Sequence, residues 1–157
     1  MILGVIHVAL SVPDMDTALS FYCDRLGFKM LTDTGWPAGT ESADRILAVE
    51  GTSARICHIG VENLMIELFQ FGDCEPQAQN PDRPVIDHGI THFCLAVTGL
   101  DEEYTRLTEA GMRFHSPPQI VGPGVRTVYG RDPFGNVIEL EEAQGRTKPQ
   151  QHPMPDA

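Results

Sequence analysis

Ile6-His7-Val8-Ala9-Leu10-Ser11-Val12 is matched, 85 residues further along, by Thr91-His92-Phe93-Cys94-Leu95-Ala96-Val97. Self-similarity of this kind marks a structural unit used more than once, so every residue of one copy gains a counterpart in the other. Both copies run on through an aspartate, Asp16 or Asp101, into a helical pattern. Met15, Leu19, Tyr22 and Leu26 precede Gly27 in the first, and Leu100, Tyr104 and Leu107 precede Gly111 in the second, each glycine being suited to the left-handed residue that stops a helix. The copies also end alike, Asn63-Leu64-Met65-Ile66-Glu67-Leu68 against Asn136-Val137-Ile138-Glu139-Leu140. Strand, helix and further strands are therefore written twice, an α+β pattern in two modules over residues 4–72 and 88–142 of a single domain spanning 1–157.

Between helix and last strand, Ala48–Glu50 and Ala54–Ile59 read as strands of the first module, and Arg113–His115 and Thr127–Tyr129 as strands of the second. Asp132-Pro133-Phe134-Gly135-Asn136 is a turn feeding the last strand. The polar, proline-bearing stretch Phe71–Asp87 reads as the linker, and residues 143–157 as a disordered tail.

Alternation along a strand tells which residues share a face. Val8, Leu10 and Val12 oppose His7, Ala9 and Ser11; Phe93, Leu95 and Val97 oppose His92, Cys94 and Ala96. Both histidines thus lie among small side chains, where room for a ligand remains. Glu67 and Glu139 each interrupt a run of apolar residues, and an unpaired carboxylate there costs several kcal/mol or takes up a proton, roughly speaking, unless a cation relieves it. A strand histidine alone is usually a hydrogen-bonded structural residue, and a strand glutamate usually faces solvent. Recurrence of both at matching places favours an N2O2 donor set, two imidazoles and two carboxylates, which leaves positions open on an octahedral divalent metal.

Composition narrows the function classes. With 22 acidic against 11 basic residues, a net charge of −11 and only Lys29 and Lys148 as lysines, the chain lacks the basic surface that nucleic acid or an anionic membrane requires. Cys23, Cys57, Cys74 and Cys94 show no framework spacing and read as reduced thiols of a cytoplasmic protein. The apolar run Met1–Val12 lacks a basic flank and contains His7, so it reads as a strand rather than a signal peptide, and no segment approaches the roughly 20 apolar residues of a membrane span.

The run from His7 to Asp16, with Ala18, Phe21-Tyr22, Leu26-Gly27-Phe28 and Asp132-Pro-Phe-Gly-Asn-Val-Ile-Glu-Leu140, resembles the vicinal oxygen chelate superfamily. Glyoxalase I, methylmalonyl-CoA epimerase, extradiol dioxygenases and bleomycin-resistance proteins belong to that superfamily. The resemblance covers residues 4–142 and departs from the usual pattern at Phe134, where an acidic residue is common. It implies two βαβββ modules whose strands form a cupped mixed sheet around one divalent ion (Zn, Ni, Co, Mn or Fe) held by His7, Glu67, His92 and Glu139, a small-molecule substrate and a homodimer. It also implies proton abstraction beside a carbonyl through a metal-bound enediolate, as in an epimerase, isomerase or glyoxalase-type lyase, with Glu67 or Glu139 as the base.

Several residues bear on the choice of chemistry. The nine arginines are scattered, which disfavours anionic carriers such as coenzyme A and glutathione and favours a small hydroxylated, sugar-like or cyclitol ketone. Arg126 is the arginine nearest the expected site, and Trp36, on a loop with Glu41 and Asp44 close by, is a substrate-contact candidate. Tyr129, ten residues before Glu139, stands where extradiol enzymes place a catalytic tyrosine. That keeps an Fe(II) ring-cleavage dioxygenase open as an alternative, together with a non-catalytic small-molecule binding protein. His58, His115 and His152 read as structural or surface residues, His88 as a loop residue, and Cys94 as a small thiol beside His92.

Overall fold

The computed structural model describes residues 1–149 of the 157. The chain divides into two compact units, Met1–Asn80 and a second beginning at Pro81, so the boundary falls inside the stretch read as a linker.

The first unit runs β1 (Val8–Ser11), α1 (Met15–Leu19), a π-helical continuation (Ser20–Arg25), β2 (Lys29–Trp36), α2 (Glu41–Leu47), β3 (Ser53–Val61) and β4 (Leu64–Gly72). The strands form a sheet in the order β1-β4-β3-β2, with β1 parallel to β4 and the other pairs antiparallel. α1 starts where Asp14, in an extended conformation, accepts a hydrogen bond from the Thr17 N–H at 2.7 Å. Its wider last turns close through Leu26 N–H to the Phe21 carbonyl at 3.1 Å and end at Gly27, whose φ of +80° only glycine adopts without strain. Met15, Ala18, Phe21 and Tyr22 are buried on this helix, as are Cys57, Ile59, Ile66 and Leu68 on one face of β3 and β4, and α1 packs on β4. Each large apolar side chain buried there contributes about 1.5–3 kcal/mol.

The second unit runs β5 (Phe93–Ala96), α3 (Leu100–Glu109), β6 (Arg113–Phe114), β7 (Gln119–Gly122), β8 (Val125–Arg131) and β9 (Val137–Ala143). Its sheet has the order β5-β9-β8-β6, with β7 also paired to β8 and β5 parallel to β9. Leu100 and Leu107 of α3 are buried, as are Val128, Ile138 and Leu140 on β8 and β9. The repeat read in the sequence is thus a repeat of topology. β1 and β5 run parallel to β4 and β9, and the strand that flanks β3 has as its counterpart the two short strands β6 and β7 on β8.

Three local expectations are corrected. Ala48–Glu50 is not a strand: α2 ends there on Ala48 at φ +55°, and the Asp44 carboxylate accepts from the N–H groups of Gly51 and Thr52 and folds the chain back. The strand of that region is β2, and Trp36 is its last residue rather than part of a loop. β2 and β7 are exposed along nearly their whole length, so no apolar alternation announces them. Of the tail, Ala143 closes β9 and Arg146 pairs with Glu141 at 2.7 Å, while residues 150–157 and the remaining expectation of disorder, with His152, lie outside the described residues.

The turn before β9 sets the register that carries Glu139. Buried Asp132 accepts from the N–H groups of Phe134 at 2.9 Å and Asn136 at 2.8 Å through one oxygen, and from the Asn136 amide at 2.8 Å through the other. Gly135, at φ +95°, has no room for a Cβ, which would lie 2.4 Å from the Pro81 Cα. Asp132→Ala leaves two backbone donors without this acceptor, at about 1–3 kcal/mol each. Urea denaturation is expected to show a loss of roughly 2–4 kcal/mol; a change within about 0.5 kcal/mol, the range of an ordinary surface substitution, would contradict this role.

Candidate functional site

In the first unit the parallel register sets Ala9 beside Glu67, and His7, two residues before Ala9, shares its face. The β3–β4 hairpin sets His58 opposite Glu67, and β2 sets Thr32 opposite His58. The side chains meet accordingly. His7 Nε2 lies 3.1 Å from one Glu67 oxygen and His58 Nε2 lies 3.1 Å from the other. The Thr32 hydroxyl is 2.6 Å from His58 Nδ1. One donor atom from each of His7, His58 and Glu67 falls within 4.8 Å of the others, an arrangement able to hold a metal ion.

The second unit repeats the plan. Glu139 pairs with Cys94 on one side and Tyr129 on the other, and His92 lies two residues before Cys94. His92 Nε2 is 3.1 Å from one Glu139 oxygen, and the Thr127 hydroxyl donates to the other at 2.6 Å. His92 Nδ1 is 2.8 Å from the Thr91 hydroxyl, which can fix the ring's tautomer, and the Tyr129 hydroxyl is 3.5 Å from His92 Nε2. Burial, with Glu139 and Cys94 nearby, raises the Tyr129 hydroxyl above its ordinary value of 10. Desolvation, followed by the Glu139 carboxylate, pushes the Cys94 thiol up to about 12, so it is a proton-bearing neighbour rather than a thiolate.

Both glutamates are largely covered, at 16% and 14% side-chain exposure, while His7 and His92 remain reachable at 37% and 27%. In each unit the donor atoms are 3.1 Å apart. Adjacent ligands at right angles around an ion with bonds of about 2.1 Å stand roughly 3 Å apart, so each pair fits as two neighbouring ligands of one ion.

His7 with Glu67 and His92 with Glu139 are thus brought together within their own units, and Tyr129 joins the second pair. His58, read from the sequence as a structural or surface residue, is part of the first cluster. The signal lay in the hairpin: with a two-residue turn at Glu62-Asn63 and Val61 opposite Leu64, residue 58 must face residue 67. His115 continues β6, its N–H donating to the Tyr129 carbonyl at 2.8 Å and its ring 6.4 Å from the Tyr129 ring. Burial, then Arg131 and Arg113, lowers its pKa below 6.5.

Arg126 lies on the other face of its sheet. It pairs with Glu142 in register and binds both Asp101 oxygens, at 2.7 and 2.9 Å, toward α3. Trp36 sits on the strand face that carries Glu67, packed edge-on against Phe69 and Phe71. Its indole N–H lies 3.2 Å from the Thr52 carbonyl and hydroxyl oxygens, and the Thr52 hydroxyl donates to Asp44 at 2.9 Å. Glu41 pairs with exposed Arg45 at 2.9 Å. His88 lies outside helix and strand, its carbonyl accepting from Arg83 at 2.7 Å.

Asp44 therefore holds the support of Trp36. The N–H groups of Gly51 and Thr52 keep its carboxyl below the ordinary 3.8, so its charged form stabilises the fold fully above that value and loses the effect as pH falls through the lowered one. Asp44→Asn is expected to melt lower than the parent at pH 7, with the gap closing in acid below pH 3.8, followed by Trp36 fluorescence. A gap unchanged across that range would contradict the assignment.

A family model described as the Glyoxalase/Bleomycin resistance protein/Dioxygenase superfamily matches residues 4–140. A 2-epi-5-epi-valiolone epimerase from an Actinomyces species is 31% identical over 145 residues, covering 87% of this chain and 78% of its own. A probable lactoylglutathione lyase from Synechocystis is 25% identical over 143 residues, covering 90% and 97%. The crystal structure of a glyoxalase family protein from Bacillus cereus superposes with a TM-score of 0.84 at 24% identity, covering 92% of this chain and 97% of that one. With the repeated βαβββ topology, these matches establish that the chain belongs to the glyoxalase/bleomycin resistance protein/dioxygenase superfamily.

Proposed function

We propose that the protein is a divalent-metal-dependent epimerase that moves a proton at the carbon next to a carbonyl of a small polyhydroxylated cyclic ketone. The observation that carries this is the recurrence, in both modules, of a histidine Nε2 and a glutamate oxygen 3.1 Å apart at equivalent sheet positions. His7, Glu67, His92 and Glu139 would hold the ion. When bound, it would act as a Lewis acid, drawing negative charge onto the substrate's carbonyl oxygen.

The chain's own groups then move the proton. A carboxylate oxygen of Glu67 or Glu139 takes the proton as the C–H bond breaks, and the bonding pair passes toward the carbonyl oxygen. The other carboxyl group, protonated at the outset, gives its proton to the same carbon as the C–H bond reforms and the carbonyl is restored; proton exchange with solvent resets the two carboxyls, so no oxidant or co-reactant is consumed. One carboxylate from each module supplies the two proton carriers an epimerisation needs. The Tyr129 hydroxyl, kept protonated and near His92, is a donor for a substrate oxygen. The aromatic group of Trp36, Phe69 and Phe71 offers an apolar wall on the face of Glu67.

The substrate class rests on charge and on the epimerase relative. Among the described residues, Arg45, Arg55, Arg83, Arg106, Arg113, Arg126 and Arg146 are each paired with carboxylates of this chain, an arrangement poorly suited to clamping a phosphate or a glutathione carboxylate. That weighs against a coenzyme A or glutathione substrate. A second reading, an Fe(II) dioxygenase, is favoured by one observation: His7, His58 and Glu67 form the two-histidine, one-carboxylate set of non-haem iron oxygenases.

Incubating the metal-loaded protein with a valiolone-type ketone in deuterated water separates the two. Deuterium is expected at the carbon beside the carbonyl, without oxygen uptake. Glu67→Gln and Glu139→Gln are each expected to lower turnover by about 10²–10⁴-fold. Oxygen consumption with ring cleavage and no deuterium incorporation would overturn the epimerase.

A further inference from the structure

Each carboxylate of the two pairs is held at both oxygens, and the second hold is where the modules differ. One Glu67 oxygen faces His7, and the other faces His58 Nε2 at 3.1 Å, with Thr32 behind His58 at 2.6 Å. One Glu139 oxygen faces His92, and the other receives the Thr127 hydroxyl at 2.6 Å. Tyr129, the sheet equivalent of His58, stands opposite Glu139 but reaches toward His92 instead. The job that His58 performs in the first module thus falls in the second to Thr127, one step of two residues along the same strand face.

We propose that His58 and Thr127 are positioning residues for metal binding: each ties down one oxygen of its glutamate so that the other oxygen is the one offered to the ion. The inference rests on the four-ligand site proposed above. A glutamate carboxylate rotates freely about its last bond and can present either oxygen, or both. A donor fixed to one oxygen removes that choice, and such outer contacts to ligating side chains are worth about 10–100-fold in metal affinity. In the first module the Thr32 hydroxyl can donate to His58 Nδ1, which leaves the ring proton on Nε2, aimed at Glu67. In the second, the Thr127 hydroxyl, which also lies 3.0 Å from the Leu140 carbonyl oxygen, has its place fixed by β8 and β9. Neither residue is required to touch the substrate.

Cobalt(II) titration of the full-length protein, followed by calorimetry and by the visible ligand-field spectrum, tests the proposal. His58→Ala and Thr127→Val are expected to weaken cobalt binding about 10–100-fold while leaving stoichiometry and spectral shape as in the parent. His58→Gln and Thr127→Ser, which keep a donor at each place, are expected to recover most of the loss. Thermal melts of the metal-free variants confirm folding, and the donor-retaining pair keeps the test informative if either truncation unfolds. Affinity unchanged in both His58→Ala and Thr127→Val overturns the proposal. A changed spectrum with loss of one nitrogen ligand in His58→Ala also overturns it, by making His58 a direct ligand. His7→Ala or His92→Ala that binds cobalt like the parent would instead defeat the four-ligand reading, a failure distinct from the other two.

Discussion

Glu67 and Glu139 are each carried between two fully buried neighbours, Ile66 and Leu68 in one strand and Ile138 and Leu140 in the other. That constraint organises the rest of the structure. Because side chains alternate along a strand, locking the apolar pair into the core against the helix forces the glutamate to the opposite face. A slip of one residue would bury the carboxylate and expose the core, so the carboxylate's place is secured by the packing of residues that never touch it. Asp132 in the turn before β9 and the short hairpin before β4 fix that register at one end.

Placing the glutamates on these strands also decides what they meet. The parallel strand on one side brings a histidine from two residues before the register partner, and the antiparallel strand on the other brings a second polar group. The outcome is two clusters built alike but finished differently, with two imidazoles at Glu67 and one imidazole and a threonine hydroxyl at Glu139. Pseudo-symmetry supplies matching histidine–glutamate pairs. The departures from it, His58 against Tyr129 and Thr32 against His115, give the two carboxylates different surroundings.

Much of this was legible in the sequence because it rests on strand alternation and a repeat. Parity put Glu67 and Glu139 opposite the buried apolar residues of their strands and set His7 in phase with Ala9 and His92 with Cys94, as the strand registers have them, whereas Tyr129 was reached only through its resemblance to the tyrosine of extradiol enzymes. His58 was missed, since the strand was read singly and only its pairing across the hairpin reveals the partner. Arg126 sits one residue from Thr127, and alternation sends its side chain to Asp101 instead of toward Glu139. β2 and β7 escaped because both lie exposed, with no buried face to imprint an apolar period, and the turn at Ala48 escaped because it depends on a side-chain contact from Asp44 that no local pattern announces.

The central claim is that the two histidine–glutamate pairs are ligands of one kind of metal centre rather than ion pairs that merely close a sheet face. Anomalous diffraction from crystals grown with manganese or cobalt tests it most directly. The account predicts an ion with His7 and His92 Nε2 and oxygens of Glu67 and Glu139 at roughly 2.0–2.3 Å. Crystals in which both pairs keep their direct 3.1 Å contacts, with the ion bound elsewhere or not at all, would contradict it.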